Sequence, residues 1–172
     1  MYFWWMILGF QAVWFACAWG IGNHYPLLPI VVSFIYLSIY IAKQSSKKEA
    51  YLFLFKIGVL GFVIDSALGL LSLVNFASPY PSPFQDFQPW WLTLLWLSFA
   101  ASAKASFFWL EKRPQLAMGL GIIAGPIAYF SGKQFGAFVT IEPLGYVLLG
   151  LAYAGVMYYL IQLMQLQKSH LK

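Results

Sequence analysis

Charge is what this sequence lacks. Only 9% of its 172 residues are Asp, Glu, Lys or Arg, and just five of those are acidic. A soluble domain carries about 25% charged residues, so this chain cannot cover a water-facing surface and its solvent is mostly lipid. Cysteine occurs once, as Cys17 inside an apolar run, which excludes an intrachain disulfide. With one cysteine, two histidines and sparse acids, neither a multi-ligand metal site nor a cofactor is expected. The net charge of +5 sits in short gaps between apolar runs. That placement reads as a topology signal and not as a nucleic-acid surface. The N-terminus, Met1 to Met6, has no basic region before its apolar run, so it reads as a retained first helix and not as a removed leader.

What is present is apolar and aromatic: 62% hydrophobic residues, 20% Phe, Trp and Tyr. A spanning helix needs about 20 mostly apolar residues, with a range of roughly 17–25. Six segments meet or approach this length, at about 3–21, 27–42, 51–76, 90–110, 115–131 and 143–163. The expected fold is therefore all-α, a single bundle of six transmembrane helices with no separate soluble domain. Prolines 79, 81, 83 and 89 break the chain between the third and fourth segments, and Tyr80, Phe84 and Phe87 suit a loop at the membrane surface. Trp90, Trp91, Trp96 and Trp109 load the ends of the fourth segment in the aromatic-belt pattern. The two three-helix halves share no convincing internal repeat, which removes the usual pointer to an inverted-repeat transporter.

Lys43, Lys47, Lys48, Lys56, Lys112, Arg113, Lys168 and Lys172 fall on one side of this six-span scheme, and Lys133 alone on the other. Eight against one places both termini in the cytoplasm by the positive-inside rule. His24 and His170 then lie on opposite sides. His24, Asp86, Lys133, Gln134 and Glu142 could converge on the outer side, although ordinary solvated loop residues are the preferred reading.

Asp65 is the sole carboxylate inside a long apolar segment. Gly61 and Gly69 lie four residues to either side, so all three share one helix face. A charge at the bilayer centre costs about 2.5–3.5 kcal/mol on insertion scales. A cationic partner, a water-filled cavity or protonation relieves that cost. Lys104 is the candidate cation: with the third helix running to residue 76, Asp65 lies roughly 16 Å and Lys104 roughly 21 Å from the outer ends of their helices. Lys104 could equally snorkel to the cytoplasmic side. Gln11 near the middle of the first segment shares a face with Trp14, Phe15 and Ala18, and either hydrogen-bonds a neighbouring helix or serves beside Asp65. Ser98, Ser102 and Ser106, at four-residue spacing, read as a small-residue packing strip. Gly121 and Gly125 form a GxxxG pair, and the Gly125-Pro126 step is expected to kink or open the fifth helix.

Several strings in order carry a resemblance: Phe10-Gln11-Ala-Val-Trp14-Phe15-Ala-Cys17, Asp65 followed by Gly69, Pro89-Trp90-Trp91 with Leu95-Trp96-Leu-Ser-Phe99-Ala100, Ser106 with Trp109-Leu110, and Gly125-Pro126-Ile-Ala-Tyr129-Phe-Ser-Gly132 with Gly136-Ala137. Over nearly its whole length the chain resembles a family of small bacterial inner-membrane proteins, domain of unknown function 2878. The resemblance implies a multi-pass protein of the bacterial inner membrane, and a setting near enzymes that modify membrane fatty acids. Where the family pattern often has Asn-His, this chain has Lys104-Ala105. The resemblance therefore leaves Gln11, Asp65 and the stretch Gly125-Pro126 to Gly132 as the residues to carry forward.

Three functions compete. The chain is a non-enzymatic partner of lipid or envelope machinery, working with membrane lipids and with a membrane-protein partner or a second copy. Or it is an intramembrane enzyme acting on a lipid, with Asp65, Gln11, Lys104 and Tyr129 as candidate catalytic residues. Or it is a small transporter or flippase coupled through Asp65. In each case Gln11, Trp14, Asp65, Lys104, Gly125, Pro126 and Tyr129 are the candidate substrate- or lipid-binding residues. Asp65→Leu is expected to lower folded yield or cellular function more than neutralising a loop charge, such as Glu142→Gln. Equal tolerance at both positions, measured by membrane-extracted yield, would show that Asp65 does not face the bundle interior.

Overall fold

The computed structural model describes residues 2–78 and 85–169, with 167–169 described by backbone alone. Prolines 79, 81 and 83, Tyr80, Phe84, His170 and Lys172 lie outside the described residues. Six α-helices and a two-stranded ribbon make up the described chain, in the order α1 Tyr2–Gly22, α2 Leu27–Ala42, α3 Lys47–Leu70, β1 Val74–Phe76, α4 Trp90–Ser106, α5 Pro114–Gln134, β2 Phe138–Ile141 and α6 Pro143–Ser169. The fold is all-α, as expected. Four of the helices, α1, α3, α5 and α6, are long and apolar enough to cross a membrane, while α2 and α4 are shorter. Leu27, Phe34 and Phe55 are 70%, 71% and 67% exposed, an apolar exterior that water would not tolerate and lipid does.

Several helix ends differ from those the sequence predicts. The third helix begins four residues early, because Ser46 caps it by accepting from the Glu49 amide at 3.4 Å. Ser46 and Glu49 have the spacing of a capping box. It also stops six residues before Phe76. The Ser72 and Leu73 amides turn back onto the carbonyls of Gly69 (2.8 Å) and Leu68 (2.9 Å), with Ser72 in the left-handed region at φ 57. This is a Schellman ending. The first and fifth helices close in the same way, with His24 (φ 64) and Gly136 (φ 85) in the left-handed position. Only Gly136 announces such a stop by residue type. His24 is therefore a helix terminator by geometry. The fourth helix stops at Ser106, not residue 110, and a short 3-10 turn, Phe108–Leu110, completes it.

The ribbon was not expected. The residues after α3 and after α5 pair antiparallel, Val74 opposite Ile141 and Asn75 opposite Thr140, and the Asn75 amide donates to the Thr140 hydroxyl at 2.6 Å. Glu142 N–H to the Leu73 carbonyl (2.9 Å) and Ala77 N–H to the Ala137 carbonyl (3.0 Å) extend the pairing. Two loops that bond to each other must lie at the same end of the bundle. The α1–α2 turn joins them there, since Gly22 packs against the backbone of Phe135 and Gly136. At the opposite, basic end Tyr2 meets Gln44, Phe3 packs on Phe108, and the Gln165 amide donates to the Glu111 carbonyl.

Glycine lets the helices of the second half close on each other. α5 and α6 form the most extensive helix pair. A Cβ on Gly121 would lie 2.6 Å from the Tyr153 carbonyl oxygen, and one on Gly125 the same distance from the Tyr153 ring. The Gly125-Pro126 step does not open α5, which runs unbroken from Pro114 to Gln134. Proline 126 cannot donate to the Ile122 carbonyl. Gly150 of α6 sits over that carbonyl, where a Cβ would come within 3.0 Å of it. The freed acceptor is thus covered by protein instead of lipid, the condition under which a spanning helix tolerates proline. Gly121→Ala is expected to lower the melting temperature of the purified protein by forcing α6 away. Gly119→Ala, whose Cβ would meet nothing within 4 Å, is expected to leave it unchanged or to raise it through a helix-propensity gain of about 1 kcal/mol in stability. Equal shifts would remove the close α5–α6 contact.

Candidate functional site

Asp65 is fully buried at 0% exposure, and four helices converge on it. Trp96 of α4 donates its indole N–H to Oδ2 at 2.6 Å, and the Tyr129 hydroxyl of α5 donates to Oδ1. Tyr153 of α6 packs against both donors, with ring centroids 5.1 Å from Trp96 and 6.1 Å from Tyr129, and lies within electrostatic range of Asp65. The glycine strip makes this possible. A Cβ on Gly61 would run into the Trp96 indole, and one on Gly69 into the Asp86 carbonyl. One position on from the carboxylate, the Ser66 hydroxyl accepts from the Gln88 backbone N–H at 3.1 Å and ties the chain entering α4 to the end of α3.

The ribbon completes the surroundings. Its buried Phe138 stacks on Tyr129, with centroids 4.7 Å apart and planes 25° from parallel, and meets Trp91 edge-on at 5.7 Å. Trp91 in turn donates its indole N–H to the Ala77 carbonyl at 3.1 Å. The Tyr129 ring is thus held from the ribbon side, with its hydroxyl committed to Asp65.

Beside this cluster lies a cavity of about 630 Å³ between α1 and α5, with α4 and α6 behind it. That is within the usual range of roughly 300–1,000 Å³ for ligand sites. Along α5 it is lined from Leu120 to Gly132, a run of roughly 18 Å. Its wall is mostly apolar and includes the aromatic rings of Phe10, Trp14, Trp96, Phe99 and Phe107. Ile123 and Ile127, 60% and 58% exposed, stand at its open side with the exposed Gln11. Near the ribbon Phe135 meets Trp14 at 5.9 Å and Phe15 at 5.5 Å.

The sequence-derived candidates separate into three groups. Asp65 and Tyr129 are brought together, with Tyr129 forming part of the cavity wall and Asp65 behind it. Gln11 and Trp14 line the same cavity on the α1 side. Lys104 goes elsewhere. It occupies the last turn of α4 at the basic end, its ammonium 5.7 Å from the Phe53 ring centroid and within electrostatic range of Glu49. Eight residues, roughly 12 Å of helix, separate Lys104 from Trp96, the level of Asp65, and no ion pair joins Asp65 to Lys104 among the described residues. The early stop of α3 explains the difference: Asp65 lies roughly 8 Å from its helix end, not 16 Å. Gly125 and Pro126 serve the α5–α6 contact. Ser102 and Ser106 bond each other at 3.3 Å, and Ser102 bonds the Met6 carbonyl at 3.4 Å, which makes the serine strip a packing seam with α1. Among the described residues no three His, Cys, Asp or Glu side chains form a group that could hold a metal. Trp96, Tyr153 and Phe138 were not singled out as site residues, and only a fold that pairs the two loops brings Phe138 to them.

The fold and cluster define a membrane protein whose helices are pinned around one buried acid beside an apolar, side-opening cavity. A family model described as "Protein of unknown function (DUF2878)" matches residues 3–160, and the chain belongs to that family. No curated protein and no solved structure matches it.

Removing a donor leaves a buried carboxylate oxygen unpaired, at a cost of about 1–3 kcal/mol or more. Tyr129→Phe and Trp96→Phe are therefore each expected to lower thermal stability. Adding either to Asp65→Leu is expected to cost much less than it does alone, because the partner is already gone. Additive losses in melting temperature across that cycle would show the bonds to be energetically idle.

Proposed function

We propose that this chain is a six-span protein of the bacterial inner membrane that binds a lipid chain in its side-opening cavity. It acts as a non-enzymatic component of membrane-lipid or envelope metabolism. In this reading the basic end, with Lys43, Lys47, Lys48, Lys112 and Arg113, and both termini face the cytoplasm, and the ribbon faces outward. The charge bias supports that orientation. The meeting of the three outward loops at one end of the bundle supports the alternation of six crossings. α2 and α4 are short for a hydrocarbon core of about 30 Å, and the 3-10 turn lengthens α4 at the cytoplasmic side.

The carrying observation is the cavity. It runs roughly 18 Å along α5, close to one leaflet of about 15 Å. It opens sideways where α1 and α5 part, and its wall is apolar. Asp65 supports a positioning role over a chemical one, since both its oxygens already accept hydrogen bonds from Trp96 and Tyr129. One observation favours a lipid-modifying enzyme instead: Tyr129, bonded to Asp65, forms part of the cavity wall. The transporter reading has no comparable support, as α5 stays helical through Gly125-Pro126.

Lipid extraction and mass spectrometry of the detergent-purified protein test the reading. Wild type is expected to retain lipid in a fixed ratio, and Ala124→Trp, which fills the cavity from α5, to lose most of it. Equal retention by both would remove the cavity as the binding site. A membrane lipid profile altered alike by deletion and by Asp65→Asn would replace this reading with the enzyme.

A further inference from the structure

Gln11 is a polar side chain left over. It lies at the centre of α1, roughly 14 Å from one end and 16 Å from the other, and so near the middle of the hydrocarbon layer if α1 crosses it. Among the described residues nothing hydrogen-bonds its amide, though Gln11 lines the cavity. The other polar side chains near the cavity are mostly committed: Tyr129 to Asp65, Trp96 to Asp65, and Trp91 to Ala77. An amide carries two donors and an acceptor, and leaving them unpaired in hydrocarbon costs a few kcal/mol. Water is not available at that depth to meet the cost.

Resting on the reading that this cavity takes a lipid, we infer that its occupant is a neutral lipid with a flat, carbonyl-bearing head, the chemistry of a prenyl quinone, held at the bilayer midplane by the Gln11 amide. A phospholipid head stays at the interface, about 15 Å from the midplane, and presents Gln11 with bare hydrocarbon. An uncharged head can sink to that depth. The Gln11 N–H donates to a ring carbonyl there, and Phe10, Trp14, Trp96 and Phe99 offer faces and edges against which a planar ring packs favourably. The tail leaves through the gap beside Ile123 and Ile127.

Two probes on the full-length protein in detergent separate this inference from the reading beneath it. One is a decyl-tailed benzoquinone, followed by quenching of tryptophan fluorescence. The other is a fluorescent long-chain fatty acid. Wild type is expected to bind both saturably, and Ala124→Trp to bind neither. Gln11→Leu is expected to weaken the quinone roughly five- to tenfold, the loss of one hydrogen bond, and to leave fatty-acid binding unchanged. Since Gln11 has no hydrogen-bond partner among the described residues, the Gln11→Leu protein should melt at or above the wild-type temperature, which separates lost binding from lost structure. Undiminished quinone binding by Gln11→Leu, or wild-type binding of the fatty acid alone, overturns the inference and leaves the lipid-binding reading standing. Binding of neither probe by wild type overturns both.

Discussion

Two hydrogen bonds to one carboxylate organise this protein. Asp65 sits where acids are costly, and the fold surrounds it with donors instead of a counter-ion. Hydrogen bonds to a charged group contribute about 1.5–3 kcal/mol each, so two of them match or exceed an insertion cost that reaches about 2.5–3.5 kcal/mol at a helix centre. Their stronger effect is geometric. Trp96 and Tyr129 come from different helices, and each must hold its ring at a set angle to reach the acid. The smooth face around Gly61 lets the Trp96 indole lie close against α3. Phe138 fixes the Tyr129 ring from the ribbon side. Acid, glycines and aromatics therefore make up one device, and its parts are spread over four helices and a strand.

That device explains why an open cavity can persist beside it. α1 packs on α2 and α4, while α5 packs on α6. The Asp65 cluster joins the α5–α6 pair to α3 and α4, and Phe135 with Gly136 joins it to α1 at the ribbon end. Between these two fastenings the α1 and α5 faces need not touch. The wall that remains is rigid because its aromatic residues are braced from behind, as Trp96 is by Asp65 and Tyr153. A cavity of this kind is a consequence of where the bundle is fastened.

Much of the fold could be read from the chain. Six apolar segments, the charge bias, the burial of Asp65 and the common face of Gln11, Trp14 and Ala18 all follow from periodicity and from the cost of polar groups in lipid. The limits of the second helix were read to the residue. What stayed hidden were features decided by contacts far apart in sequence. The end of α3 depends on Ser72 adopting a left-handed conformation that its residue type does not announce. The ribbon pairs segments too short for period-2 alternation to reveal them. The early stop of α3 then moved Asp65 along its helix, out of reach of Lys104 and level with Trp96. Its partners were legible as aromatic residues, but their shared target was not, because tryptophan at a helix start reads first as an interfacial anchor.

The order in which the Asp65 partners appear has a consequence for biogenesis. Synthesis runs from the N-terminus, so α3 emerges before either donor exists. Trp96 follows within the next helix, whereas Tyr129 is made more than sixty residues after the acid. A nascent chain that has completed α4 therefore carries an acid with at most one of its two bonds made, and no local rearrangement supplies the other. The second bond can form only once α5 has been made. The docking of α5 is recorded at a single atom: Oδ1 of Asp65 is paired once Tyr129 has reached it.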